Sequence, residues 1–571
     1  MRHSPRTASI LCALCAALLA ACAGAPPPAP LREPGAWTGA PVVTTRYGAI
    51  QGREDADRTL VWKAVPYARP PVGELRWRAP QDPLPWAGVR DTSRFNGGCT
   101  QFSPVFAGSI SGSEDCLYLN VWRPQGADTG LPVYVWIHGG GNSIGSATMV
   151  PDYYGNRIAA RERLIFVSIN YRLGPFGWFT HPALREGASA EDASGNYGTL
   201  DIIQALKWIR ENIAAFGGDP GSVTIAGQSA GATNVLSLMI APPARGLFHR
   251  AISQSGSAAT RGIEEADGKA VGILETLLVS DGSARTREAA AAMAASMSPD
   301  RIRAYLRSRT DRQILRTYRS PGLGMIDNPA ILRDGVVIPR EGFDVLTTGD
   351  YPSKVPLIIG SNREELKLFL LFSGSIPWRS DLYKAVAKYG SARWKASGVD
   401  EVARRLATHA DQPGVYAFEF SWGAPDPNGV SPLPGTWGQR LGAFHSLEIP
   451  FFLGTDTLEG ALQLILFTRQ NEPGRKALSN AMMSYVGSFA RTGNPNAPQS
   501  GLPAWEPWSN DPGAPRCIVF DVRGNVPAIV MTDRELTDDG VIATLKAELP
   551  AELARQTLEN LAKSHTSSRV R

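Results

Sequence analysis

Residues 223–231 read Val223-Thr224-Ile225-Ala226-Gly227-Gln228-Ser229-Ala230-Gly231, and a helical pattern then runs on to Ala241 before Pro242-Pro243. Val223 to Ala226 is short and rich in β-branched residues, as expected of a strand covered on both faces. Between strand and helix stands G-x-S-x-G, in the strand–turn–helix context that gives this motif meaning. The chemistry needs a hydroxyl projected from a turn so sharp that neighbouring side chains must be small, hence a glycine two residues to each side of the serine. The helix that follows directs its first amides and the positive end of its dipole at the same place. Ser229 is therefore the candidate nucleophile.

Working outward, Ile202, Leu206, Ile209, Ile213 and Phe216 recur at spacings of four and three. That period predicts a helix over residues 200–216 with one buried face, stopped by Gly217-Gly218-Asp219-Pro220. Pro132 to Ile137 (PVYVWI) and Leu164 to Ile169 (LIFVSI) are further continuous apolar runs. Alternating strands and helices imply an α/β fold, a mostly parallel twisted sheet with right-handed crossovers, flanked by helices and carrying large helical insertions.

A serine in such a turn needs a histidine base and a carboxylate to orient it, in the chain order Ser, acid, His. His3 lies in the leader, and His138, His181 and His249 come too early in the chain. His409 ends a helical stretch and reads as a solvated helix residue, while His565 lies in a polar tail. His445, in a loop bordered by apolar sequence, is the candidate base. For the acid, Val355 to Ile359 reads as a late strand with residues 360–365 as the loop at its carboxyl end, where ligands and catalytic groups of open α/β sheets collect. Glu364 and Glu365 both qualify; spacing does not separate them, and such a pair could also cap the following helix. His138-Gly139-Gly140-Gly141 directly follows a central strand, where glycines let backbone amides approach a substrate oxygen, and the amide of Ala230 would complete the set. Gly139 to Gly145 lacks dinucleotide-fingerprint spacing, and neither a Walker A loop nor H-E-x-x-H occurs, so no metal or organic cofactor is expected.

The 571 residues are 43% hydrophobic and 19% charged, which excludes intrinsic disorder. The net charge of +5 is spread along the chain, which argues against nucleic acid as a partner. Residues 1–21 have the layout of a signal peptide: two early arginines, an uncharged apolar run and small residues. Leu19-Ala20-Ala21-Cys22 resembles a bacterial lipobox, which implies lipidation at Cys22 and membrane attachment, with Ala23 pointing to the outer membrane; ordinary cleavage and secretion is the alternative. Residues 22–36 read as a Pro/Ala-rich tether, residues 37–550 as one domain and residues 551–571 as a polar C-terminal tail.

Beyond these local readings, the chain resembles the type B carboxylesterases, the α/β-hydrolase branch that includes cholinesterases, bile-salt lipases and neuroligins. The resemblance covers roughly residues 40–520. It rests on Pro66-Tyr67-Ala68, Pro70-Pro71-Val72-Gly73-Glu74-Leu75-Arg76, Glu114-Asp115-Cys116-Leu117, the glycine loop, Asn170-Tyr171-Arg172, Phe216 to Pro220, the serine turn, Gln254-Ser255-Gly256 and Phe489 to Pro495. It implies an exported serine esterase acting on small-molecule esters, with Ser229 as nucleophile, Glu365 as acid, His445 as base, Gly140, Gly141 and Ala230 as oxyanion donors, and Ser255 close by. It further implies a disulfide between Cys99 and Cys116, which an exported protein permits, leaving Cys517 unpaired and buried. Gln228 and Asn142 depart from the family, which has a glutamate and an aromatic there. No tryptophan lies between Cys99 and Cys116, which disfavours choline esters. A lipase or amidase with the same triad, or a non-catalytic surface binding protein, are the alternative functions.

Overall fold

The computed structural model describes residues 29–566 apart from 104–105, 107, 321–322, 459–460 and 499. The leader and Cys22 lie outside the described residues. Eleven strands form one twisted sheet: β1 (Arg53–Asp55), β2 (Thr59–Pro66), β3 (Tyr118–Pro124), β4 (Leu131–Ile137), β5 (Ile165–Ile169), β6 (Gly218–Gln228), β7 (Arg250–Gln254), β8 (Leu357–Asn362), β9 (Val415–Phe420), β10 (Cys517–Arg523) and β11 (Val526–Thr532). Their order is β11-β10-β9-β8-β7-β6-β4-β5-β3-β2-β1. From β5 across to β10 every neighbour is parallel, while β1, β2, β3 and β11 join antiparallel at the edges.

Strand β4 shows why these sequences make this sheet. Successive side chains of a strand point to opposite faces, so Val133, Val135 and Ile137 enter one core and Tyr134 and Trp136 the other. The first core is covered by α1 (Tyr197–Asn212) and α2 (Ala230–Ile240). All five periodic residues of the 200–216 pattern pack there, the last two in a 3-10 turn that ends at Gly217 with φ 79°. Burying each of those side chains contributes about 1.5–3 kcal/mol. An inserted helix, α3 (Ile263–Ser280), builds its own cluster, packing Ile273, Leu274 and Leu277 with Trp77 and Phe179. Next come α4 (Leu366–Ser373) and α5 (Asp381–Lys395), which runs into a π-helical turn over residues 396–400. The second core is closed by α6 (Glu472–Thr492) through Met482, Val486 and Phe489.

Several elements differ from the sequence expectation. Strand β8 starts at Leu357 and continues through Gly360-Ser361-Asn362, because these three residues pair with Phe418, Glu419 and Phe420 of β9. The loop expected from residue 360 therefore starts at 363. Residues 551–566 form a helix, α7 (Ala551–Thr566), with Ala554 and Leu561 buried against α5, so this stretch is packed body rather than tail. His409 lies past the end of its helix and is half-buried, its Nε2 2.8 Å from the Leu346 carbonyl. Among the described residues no helix is long and apolar enough to cross a membrane, and no group of His, Cys, Asp and Glu is placed to hold a metal.

Candidate active site

Ser229 occupies the single residue between β6 and α2, with φ 57° and ψ −123°. A non-glycine residue pays for such a backbone with about 1–3 kcal/mol. What holds it there is close packing of the turn. Its N–H donates to the Gln254 carbonyl at the end of β7, 2.8 Å away. A Cβ on Gly227 would sit 2.5 Å from the Gly231 backbone, and one on Gly231 2.0 Å from the Ile137 carbonyl oxygen. The two motif glycines are thus required by contact with the chain itself. The amides of Ala230 and its successors open α2, where the first N–H groups have no acceptor within the helix.

The glycine loop after β4 lies directly beside this turn. A Cβ on Gly139 would meet Ser229 Cβ at 3.0 Å and the Gln228 carbonyl oxygen at 2.7 Å. Gly140, at φ 102°, and Gly141, at φ 62°, adopt conformations that favour glycine. Gly140 accepts from the amides of Ser143 and Ile144, which closes the loop. A Cβ on Gly141 would meet Met325 Sδ at 3.2 Å. Asn142, also at positive φ, shares an amide pair with Asn234 of α2 at 2.9 Å, tying the glycine loop to the serine helix.

His445 is buried with Nδ1 2.5 Å from Glu365 Oε2. The other oxygen of Glu365 accepts from the Asn362 amide at 2.7 Å and from Ser255 Oγ at 2.5 Å. Glu364 has different work: its carboxylate pairs with Lys367 at 2.6 Å and accepts from the Ala443 amide at 3.1 Å, holding the loop that carries His445. Phe369 and Trp394 set their rings 5.1 Å from the imidazole, and the hydrogen bond at His445 Nε2 is to the Gln228 amide nitrogen, at 3.3 Å. Burial works against the imidazolium, but the charge and hydrogen bond of Glu365, with the charge of Glu448, prevail and raise the pKa of His445.

The sequence reading did not single out Glu448. Fully buried, it accepts from Asn362 Nδ2 at 2.5 Å, and its second oxygen is 3.4 Å from the Ser255 hydroxyl that also serves Glu365. Burial, then repulsion from Glu365, pushes its pKa up to about 7. Its only trace in the sequence is a carboxylate three residues after the candidate base, within apolar surroundings.

The arrangement brings together Ser229, His445, Glu365, Gly140, Gly141, Ala230 and Ser255. A model of the carboxylesterase family matches residues 39–377 and 380–518, nearly the whole described body. The chain belongs to the carboxylesterase family. Among its relatives, a para-nitrobenzyl esterase of Bacillus subtilis is 32% identical over 489 residues, covering 81% of this chain and 92% of the relative. A medium-chain fatty acyl-CoA hydrolase precursor of Anas platyrhynchos is 33% identical, covering 82% and 87%. A solved carboxylesterase of Geobacillus stearothermophilus superimposes with a TM-score of 0.67 at 30% identity, covering 86% of this chain and 98% of that one.

Features of this carboxylesterase now explain the scattered motifs. Arg76, which ends the Pro70 to Arg76 motif, pairs through Nε with Glu114 of Glu114-Asp115-Cys116-Leu117 at 2.7 Å, and Arg172 of Asn170-Tyr171-Arg172 pairs in the interior with Asp201 of α1 at 2.7 Å. Cys99 and Cys116 are joined in a disulfide with Cα atoms 5.0 Å apart. Cys517 is free and buried, and burial pushes its thiol up to about 12, leaving it protonated.

Proposed function

We propose that this carboxylesterase hydrolyses small uncharged esters through an acyl-enzyme on Ser229. Ser229 Oγ attacks the ester carbonyl carbon while His445 Nε2 takes its proton; Glu365, on Nδ1, orients the imidazole and stabilises its cation. The amides of Gly140, Gly141 and Ala230 receive the carbonyl oxygen as it becomes negative. Collapse of the tetrahedral intermediate breaks the bond to the alcohol, which leaves with the proton from His445. Water, deprotonated by the same imidazole, then attacks the acyl-enzyme and releases the acid. The observation that carries this reading is the left-handed Ser229 beside the glycine loop, next in the chain to Gln228, whose side chain meets the Nε2 of an imidazole already bonded through Nδ1 to the buried Glu365.

The test is hydrolysis of p-nitrophenyl acetate, butyrate and octanoate by the wild type and Ser229→Ala. Turnover by the wild type, with the variant reduced to background, is the expected result; equal rates would remove Ser229 from the mechanism. The octanoate arm addresses a lipase-like preference, favoured by one specific observation: α4, which directly follows Glu365, carries apolar residues that are half-buried, and Phe372 is 55% exposed.

Export follows from the leader and the lipobox-like Cys22, and the Cys99–Cys116 bond supports an oxidising compartment. Mass spectrometry of the mature amino terminus separates the two routes, since a diacylglyceryl group on Cys22 marks a lipoprotein and a free terminus marks plain secretion.

A further inference from the structure

Gln228, the last residue of β6, is buried, and its side chain lies between the two halves of the site. Its amide nitrogen is 3.3 Å from His445 Nε2, while its amide oxygen is turned toward the glycine loop, 3.1 Å from where a Gly139 Cβ would be. The orientation has a chemical meaning. With Nδ1–H donated to Glu365, the neutral imidazole presents a lone pair on Nε2, and that lone pair can only accept. The Gln228 N–H is therefore its complement. Protonated imidazole would present a second N–H to the same amide, donor against donor, until the amide turned over.

The other groups facing the imidazole pull the opposite way. The charged groups that act on it are two carboxylates, Glu365 on Nδ1 and Glu448 behind it, and both favour the cation. Phe369 and Trp394 contribute uncharged rings. Burial opposes the cation, but the two carboxylates outweigh it and draw the imidazole toward the protonated form.

We propose that Gln228 is a positioning residue that keeps His445 in its neutral Nδ1–H form before ester binds, by donating to the Nε2 lone pair that Ser229 will use. The amide of Gln228 supplies a hydrogen bond that rewards the uncharged state, adding to the burial that also disfavours the cation. It holds the ring against the glycine loop and yields its place when the serine proton is transferred. A carboxylate at the same position could not donate to that lone pair; it would be a third anion beside the imidazole and would stabilise the cation.

This inference rests on the esterase reading, and its test is the pH dependence of kcat/KM for p-nitrophenyl butyrate in the wild type, Gln228→Glu and Gln228→Met. The acid limb of that profile reports the free enzyme's base. In Gln228→Glu the limb is expected to move to higher pH by about one unit, a further tenfold loss of rate on the acidic side, with the alkaline plateau kept within a few-fold. In Gln228→Met, of similar size but without a donor, the limb should move the same way by a smaller amount. Should Gln228→Glu fail to fold, the methionine variant decides alone, and reaction with a fluorophosphonate at alkaline pH counts its competent sites. An acid limb that superimposes on the wild type in the folded variants would overturn the proposal while leaving the esterase reading intact. A wild type that neither turns over ester nor reacts with the fluorophosphonate would overturn both.

Discussion

Glu364 and Glu365 are adjacent in sequence and opposite in role. Glu365 reaches His445 at 2.5 Å, whereas Glu364 is occupied by Lys367 and the Ala443 amide. Glu365→Gln should therefore reduce kcat by on the order of ten-thousandfold, as loss of an orienting carboxylate does elsewhere, while Glu364→Gln acts through the loop and costs far less; steady-state kinetics on both variants checks the contrast. Spacing alone left the two open because both sit in one turn, and only the family resemblance favoured the second. Glu448 was less legible still, since its importance comes from burial beside Glu365, which no local pattern announces. Its pKa is raised by burial and by Glu365 from the ordinary carboxylate range to about 7. The folded protein thus holds a proton that the unfolded chain has released, a contribution to stability that is full below about pH 4.5 and lost as pH rises through about 7. Glu448→Gln keeps an acceptor for Asn362 and should be more stable than wild type at pH 8, by up to about 3 kcal/mol, with the difference vanishing near pH 4. Thermal unfolding across that range measures it; a constant difference at all pH values would contradict an ionised Glu448.

The elements were legible where burial is symmetric and periodic. β4, β5 and α1 appear as apolar runs or as a 3.6-residue period, because each is covered on known faces. β8 was misjudged because Gly360-Ser361-Asn362 looks like loop; its place in the sheet comes from pairing with β9. α7 looked like a polar tail because only one narrow stripe, including Ala554 and Leu561, meets α5. The glycine loop shows what an element can demand of single residues. At Gly140 a Cβ would lie 2.2 Å from the Ile144 carbonyl oxygen, at φ 102°. Gly140→Ala must displace that loop and its amides, so kcat should fall by roughly a hundredfold to a thousandfold, the cost of one lost oxyanion donor. Rate and circular dichroism measured together check it; unchanged kcat in a folded variant would remove Gly140 from the oxyanion site.

Across the whole molecule, the parallel sheet brings residues from four separated segments, 139–141, 228–230, 365 and 445, together at the carboxyl ends of its central strands, which is why sequence order alone could suggest the site but not assemble it. The Cys99–Cys116 bond closes a loop with a sequence separation of 17. Replacing both cysteines with serine should cost about 3 kcal/mol by the loss of that constraint on the unfolded chain, and wild type unfolded with excess reductant should match the double variant; coincident melting of oxidised wild type and variant would count against the bond. The central claim is that Ser229 is a nucleophile activated by His445. A fluorophosphonate label on the folded wild type, mapped by peptide mass spectrometry, addresses it most directly. The account predicts a single stoichiometric adduct on Ser229 that disappears in Ser229→Ala and slows sharply in His445→Ala. An adduct on another residue, or a folded wild type that takes up no label, would contradict it.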